Sequence, residues 1–146
     1  MKITTEKILS IYKLINDAKL TKMDDEDKFR MIKIIRLFKP VVTNFEDFKK
    51  VASEKLKGDN HEEMLRKAKK WQAEGDKTTL TESERMEINT YFNDYNNKVL
   101  ECLKDETMKE NEFDYETLSA QAFGKFVASN DWTLGQITAI EEVINA

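Results

Sequence analysis

The chain has 146 residues, 36% of them charged, and a formal net charge of -4. That length is enough for one domain with a real core, and the acidic balance argues against general nucleic-acid binding, which favours a basic domain. Four glycines, one proline and one cysteine leave few helix breaks and exclude an internal disulfide.

The stretch Met1-Lys2-Ile3-Thr4-Thr5-Glu6 is too polar for a secretory signal, and no apolar run approaches the ~20 residues of a membrane span. The expected setting is therefore the cytoplasm, with no membrane partner. Scarce breakers, abundant charge and apolar spacing of helical period predict an all-α fold. The expected architecture is one domain over 1–146, an irregular bundle of about six helices around two long antiparallel helices, the first kinked at Pro40.

In chain order, Thr4 reads as the N-cap of a first helix, with Ile3 and Ile8 at the staple positions. Its stripe is Ile8, Ile11, Ile15 and Ala18, and it is expected to reach about Lys19. Leu20 to Met23 reads as a tight connection. Asp24, Asp25, Glu26 and Asp27 follow; they lack the spread ligands, glycine and closing glutamate of a calcium loop, so they read as a cap and an acidic first turn.

The long helix then spans Asp24 to Gly58. Met31, Ile34, Phe38, Val41, Phe45, Phe48 and Ala52 recur at steps of three and four, the seam of a helix packed on other helices. Pro40 offers no N–H to the carbonyl of Arg36 and predicts a kink. Because the apolar phase is unchanged across it, one bent helix is favoured over a break at Lys39 with Pro40 opening a new helix. Arg36, Lys50 and Lys57 fall on the outer, solvated side.

Gly58 reads as a left-handed helix stop and Asn60 as the next N-cap, boxed by Glu63. Met64, Ala68 and Trp71 mark the buried side of that helix. Arg66, Lys67, Lys69 and Lys70 surround Trp71, a pattern that can serve single-stranded nucleic acid, but one Trp at helical spacing reads as core. Gly75 ends the helix, and a loop runs to Leu80. Thr81 and Glu84 box the second long helix, whose stripe is Ile88, Phe92, Tyr95, Val99 and Leu103, flanked by Tyr91 and Cys102. It is expected to end near Lys104.

Periodicity fails from Asp105 to Asp114, and Phe113 and Tyr115 suggest a short extended piece. Leu118, Ala122 and Phe126 mark another helix, with Asn130 as its left-handed stop. Thr133 and Gln136 box the last helix, with Trp132 and Ile137 as staple and Ile140, Val143 and Ile144 as its apolar face.

Chemical motifs are sparse. Cys102 and His61 are the only residues of their kinds; Cys102 reads as a small core hydrophobe and His61 as exposed in a first helical turn. One Cys and one His cannot supply the usual zinc ligands. The isolated glycines Gly58, Gly75, Gly124 and Gly135 make no phosphate loop. Glu62 with Glu63, Glu82 with Glu84 and Glu87, and Glu141 with Glu142 read as capping and solvation, and the Glu-x-x-His spacing of di-metal bundles is missing. No catalytic, cofactor-binding or metal residue is therefore expected, and the protein is expected not to be an enzyme.

Charge is uneven along the chain: residues 19–70 hold 15 Lys and Arg against 10 Asp and Glu, and residues 74–116 hold 5 against 13. Either the fields partly cancel in the fold, or a basic face meets an acidic partner.

The segment order carries a resemblance. A short helix ends in Leu20; a Lys-rich helix holds Lys33, Arg36, Phe45 and Phe48; an aromatic-acidic segment runs from Tyr91-Phe92-Asn93 to Leu100-Glu101-Cys102-Leu103; and a helix from Leu134 to Ile144 closes the chain. This resembles a family of small all-helical proteins of tailed phages and prophages. The resemblance implies a phage-encoded protein in the host cytoplasm or the virion, and it carries over no catalytic residue. With the missing motifs it leads to the expectation of a non-enzymatic protein that binds a phage or host protein, as an assembly factor or minor virion component. The alternative is an inhibitor that sequesters a host defence or regulatory protein. A homo-oligomer is open.

Overall fold

The computed structural model describes residues 1–145. The fold is all-α, with six α-helices among the described residues and one two-stranded ribbon. In order these are β1 (Lys2–Thr4), α1 (Thr5–Asn16), α2 (Asp25–Lys55), α3 (His61–Glu74), a single 3-10 turn (Gly75–Lys77), α4 (Glu82–Thr107), β2 (Glu110–Glu112), α5 (Ala120–Ala128) and α6 (Leu134–Ile144). The chain forms two compact units: Met1–Glu46 with the chain from Glu106 onward, and Asp47–Asp105.

The first unit holds the larger core. Ile8, Ile11 and Ile15 of α1 are fully buried at helical spacing, as are Met31, Ile34 and Phe38 of α2. Phe126 of α5 and Ile140, Val143 and Ile144 of α6 complete the centre. Burying such side chains is worth roughly 1.5–3 kcal/mol each, the driving force that the amphipathic stripes encode. The Thr4 hydroxyl accepts from the Lys7 N–H at 3.3 Å, so the first helix is capped as expected.

Thr4 also ends a strand. β1 pairs antiparallel with β2, setting Lys2 opposite Glu112, Ile3 opposite Asn111 and Thr4 opposite Glu110. The Asn111 side chain locks the ribbon, its Nδ2 donating to the Ile3 carbonyl and to Thr5 Oγ1, both at 3.0 Å.

α2 runs without interruption through Pro40, so the alternative of a break at Lys39 is excluded. Pro40 lies exposed on its outer side, where the unbonded Arg36 carbonyl can be hydrated.

In α5 the Ser119 hydroxyl accepts from the Ala122 N–H at 3.1 Å. Asn130 is not a left-handed stop, because glycine alone takes a positive φ among the described residues. Its side chain works instead: Oδ1 accepts from the Lys19 N–H at 2.7 Å, and Nδ2 donates to the Lys19 and Phe126 carbonyls, each at 2.9 Å. α6 carries the full capping box of Thr133 and Gln136. Trp132 packs edge-on against Phe126 at 5.0 Å.

The second unit contains the end of α2, all of α3 and most of α4. Two expectations at its first turn are corrected. Gly58 is not left-handed, and α2 has already ended at Lys55. Asn60 precedes α3, but its side chain makes no capping bond. Gly75 does take the left-handed region, at φ 57°, and its N–H donates to the Trp71 carbonyl. Thr81 and Glu84 form the expected reciprocal cap, with bonds of 3.1 and 3.3 Å. Along this part of the chain Ser53 meets Tyr95 and Gly58 meets Tyr91, so the two segments run in opposite senses.

Candidate functional site

The first unit carries a groove of about 530 Å³. One side is α2, through Arg30, Lys33, Arg36 and Leu37; the other is the segment Asp114, Tyr115 and Glu116 leading into α5. The helix places Lys33 and Arg36 one turn apart, on the outer side opposite the Met31–Ile34–Phe38 stripe.

Arg30 builds the groove. Its Nε donates to Glu116 Oε2 at 2.8 Å, Nη1 to Asp27 Oδ1 at 2.7 Å and Nη2 to Glu26 Oε1 at 2.9 Å. These bonds, the one to Glu116 first, raise the guanidinium pKa well above its ordinary value. In return the hydrogen bond from Arg30, with its charge, holds the Glu116 carboxyl below the usual carboxylate range. Tyr115 fixes the same wall, its hydroxyl donating to the Val143 carbonyl at 2.9 Å. Burial pushes its pKa up to about 12.

The cations are thus unequal. Arg30 is engaged by three carboxylates of the same unit. Arg36 makes no ion pair among the described residues, and Lys33 reaches Glu116 only as a nearby charge. Beside them on the outer line of α2, Phe29 is 64% exposed and Leu37 39% exposed.

The acidic run before α2 is also accounted for. Asp24 pairs with Lys125, Asp25 with Lys28, and Glu26 and Asp27 with Arg30. It is the acidic first turn that its position suggests.

In the second unit His61, expected to be exposed, is buried at 7% exposure. The correction has a clear cause. Tyr91, Phe92 and Tyr95 present one face of α4 to it, with ring centroids at 5.6, 5.9 and 4.9 Å. His61 Nδ1 lies 2.6 Å from the Tyr91 hydroxyl, which also accepts from the Gly58 N–H at 3.2 Å. The imidazole closes the turn between α2 and α3 onto α4. Cys102 is half-buried. It stands seven residues beyond Tyr95, about 10 Å along the helix, so no Cys–His pair is formed with this histidine. Trp71 is half-buried rather than core.

The uneven charge of the sequence does not separate the units. The first holds 12 Lys and Arg against 15 Asp and Glu, the second 12 against 13. The long basic and acidic stretches are divided between both, which favours local over global fields.

Among the described residues no helix is long and apolar enough to cross a membrane, and no group of three or more His, Cys, Asp or Glu suited to a metal occurs. Comparison with protein-family models, with curated proteins and with solved structures gives no match.

Proposed function

We propose that the chain works by binding another protein rather than by catalysis, as an assembly factor or minor virion component of a tailed phage. The observation that carries the reading is the outer line of α2, where Phe29 stands 64% exposed beside Lys33 and Arg36. An exposed aromatic ring beside an arginine is the chemistry enriched at protein interfaces, where aromatic and arginine side chains dominate the binding energy. The use of His61 as an internal strut supports the non-catalytic part of the reading. The phage assignment rests on the resemblance in segment order.

The test is affinity capture of the full tagged chain from phage-infected cells and from purified virions. A phage protein is expected to be captured by the natural chain and lost with Phe29→Ser. Capture of a host protein instead would assign the inhibitor role. Recovery of no protein from either source would overturn the reading.

A further inference from the structure

We infer that the groove between α2 and Asp114–Glu116 receives an acidic peptide segment of the partner, with a carboxylate between Lys33 and Arg36 and an apolar side chain against Leu37 and the Tyr115 ring; this rests on the protein-binding reading above.

Shape comes first. The groove, at about 530 Å³, falls within the roughly 300–1,000 Å³ of sites that hold compact ligands. Its far wall is held at two points, by Glu116 on Arg30 and by the Tyr115 hydroxyl on the Val143 carbonyl. A wall fixed before binding loses little entropy when a segment enters.

Charge then selects the occupant. Three carboxylates engage every guanidinium nitrogen of Arg30, three of its five N–H donors, and balance its charge, so it frames the groove and leaves recognition to Lys33 and Arg36. These two cations, three residues apart on one helix, have Cβ atoms roughly 5–6 Å apart. That spacing suits one carboxylate held by both, and Arg36 adds the forked geometry that carboxylates match.

Asp114 distinguishes the classes of macromolecule. It lines the opposite wall and makes no ion pair among the described residues. A nucleic acid would bring a row of phosphates against Asp114 and Glu116. A peptide can turn a backbone N–H or a donor side chain toward Asp114 while its carboxylate meets the helix. The exposed Phe29 and Leu37 extend the same outer side with apolar area that a peptide, but not a phosphate backbone, would cover.

The test is selection of a random-peptide display library on the immobilised full chain, followed by titration of the enriched peptides in solution. Enriched sequences are expected to pair Asp or Glu with an aromatic or aliphatic residue. Lys33→Glu with Arg36→Glu should weaken them at least ~10-fold, and Lys33→Gln with Arg36→Gln should weaken them less. Unchanged circular dichroism and thermal unfolding of both double variants separate lost recognition from lost fold. Basic or neutral enriched peptides, equal binding by the charge-reversed chain, or equal binding of a single-stranded oligonucleotide would overturn the inference. Capture of the same virion protein by the charge-reversed chain would overturn it too, while leaving the protein-binding reading intact.

Discussion

Arg30 Nε and Glu116 Oε2 meet at 2.8 Å across 86 positions of sequence. This bond turns a helix and an irregular segment into the two sides of one groove. It also makes that wall sensitive to acid. The Glu116 carboxyl is held below its ordinary range by Arg30, while the unfolded chain titrates near ~4.3. The pairing therefore stabilises the fold above the unfolded value and is lost as pH falls through the folded one. Urea unfolding at a series of pH values should show Glu116→Gln losing less stability on acidification than the natural chain. Equal acid loss in both would contradict the bond's role.

The second unit has its own test. The Tyr91 hydroxyl serves two partners, His61 Nδ1 and the Gly58 N–H, whereas the Tyr95 hydroxyl donates to the Ser53 carbonyl alone. Tyr91→Phe leaves a polar atom of a buried imidazole unpaired and should cost about 1–3 kcal/mol. Tyr95→Phe should cost less. Equilibrium urea unfolding ranks the two, and the reverse order would deny His61 its part in closing the turn.

Two phenylalanines nine positions apart on α2 are expected to behave as opposites. Phe38 is fully buried beside Phe113 and Tyr115, at centroid distances of 5.1 and 5.9 Å. Phe38→Ala should destabilise by about 3–5 kcal/mol. Phe29→Ser should change stability by no more than about 0.5 kcal/mol, while abolishing capture of a partner. A large stability loss at Phe29 would mean that its ring already has a structural use.

Helix stripes and hydroxyl caps were legible in the sequence because both are local. Ile8, Ile11 and Ile15 keep one face, and Thr4, Thr81 and Thr133 each find an N–H three residues on. What was not legible depends on partners far along the chain. Three-residue strands show no period, and the ribbon sets Lys2 against Glu112. Gly58 and Asn60 carried ordinary stop and cap signals, but the turn there is held by Tyr91 instead. His61 looked exposed because the rings covering it lie 30 residues away. The groove was hidden for the same reason. Its helical side showed only as Arg36 on an outer face, and nothing near Glu116 marked it as the opposing wall.

The caps give a further contrast. Thr133→Ala removes a hydroxyl that bonds the Gln136 N–H and should cost about 1 kcal/mol. Asn60 stands at the equivalent position before α3 without a side-chain bond, so Asn60→Ala should cost only a few tenths of a kcal/mol by the same scale. Thermal unfolding of both variants decides it, and a loss at Asn60 matching that at Thr133 would contradict the observed turn.

The central claim is that a partner covers the outer line of α2 and the groove beside it. Hydrogen exchange of the full chain, alone and with the protein captured from virions or infected cells, tests it most directly. Slowed exchange over residues 29–37 and 114–116 is the result expected. Slowed exchange confined to other segments, with these unchanged, would contradict it.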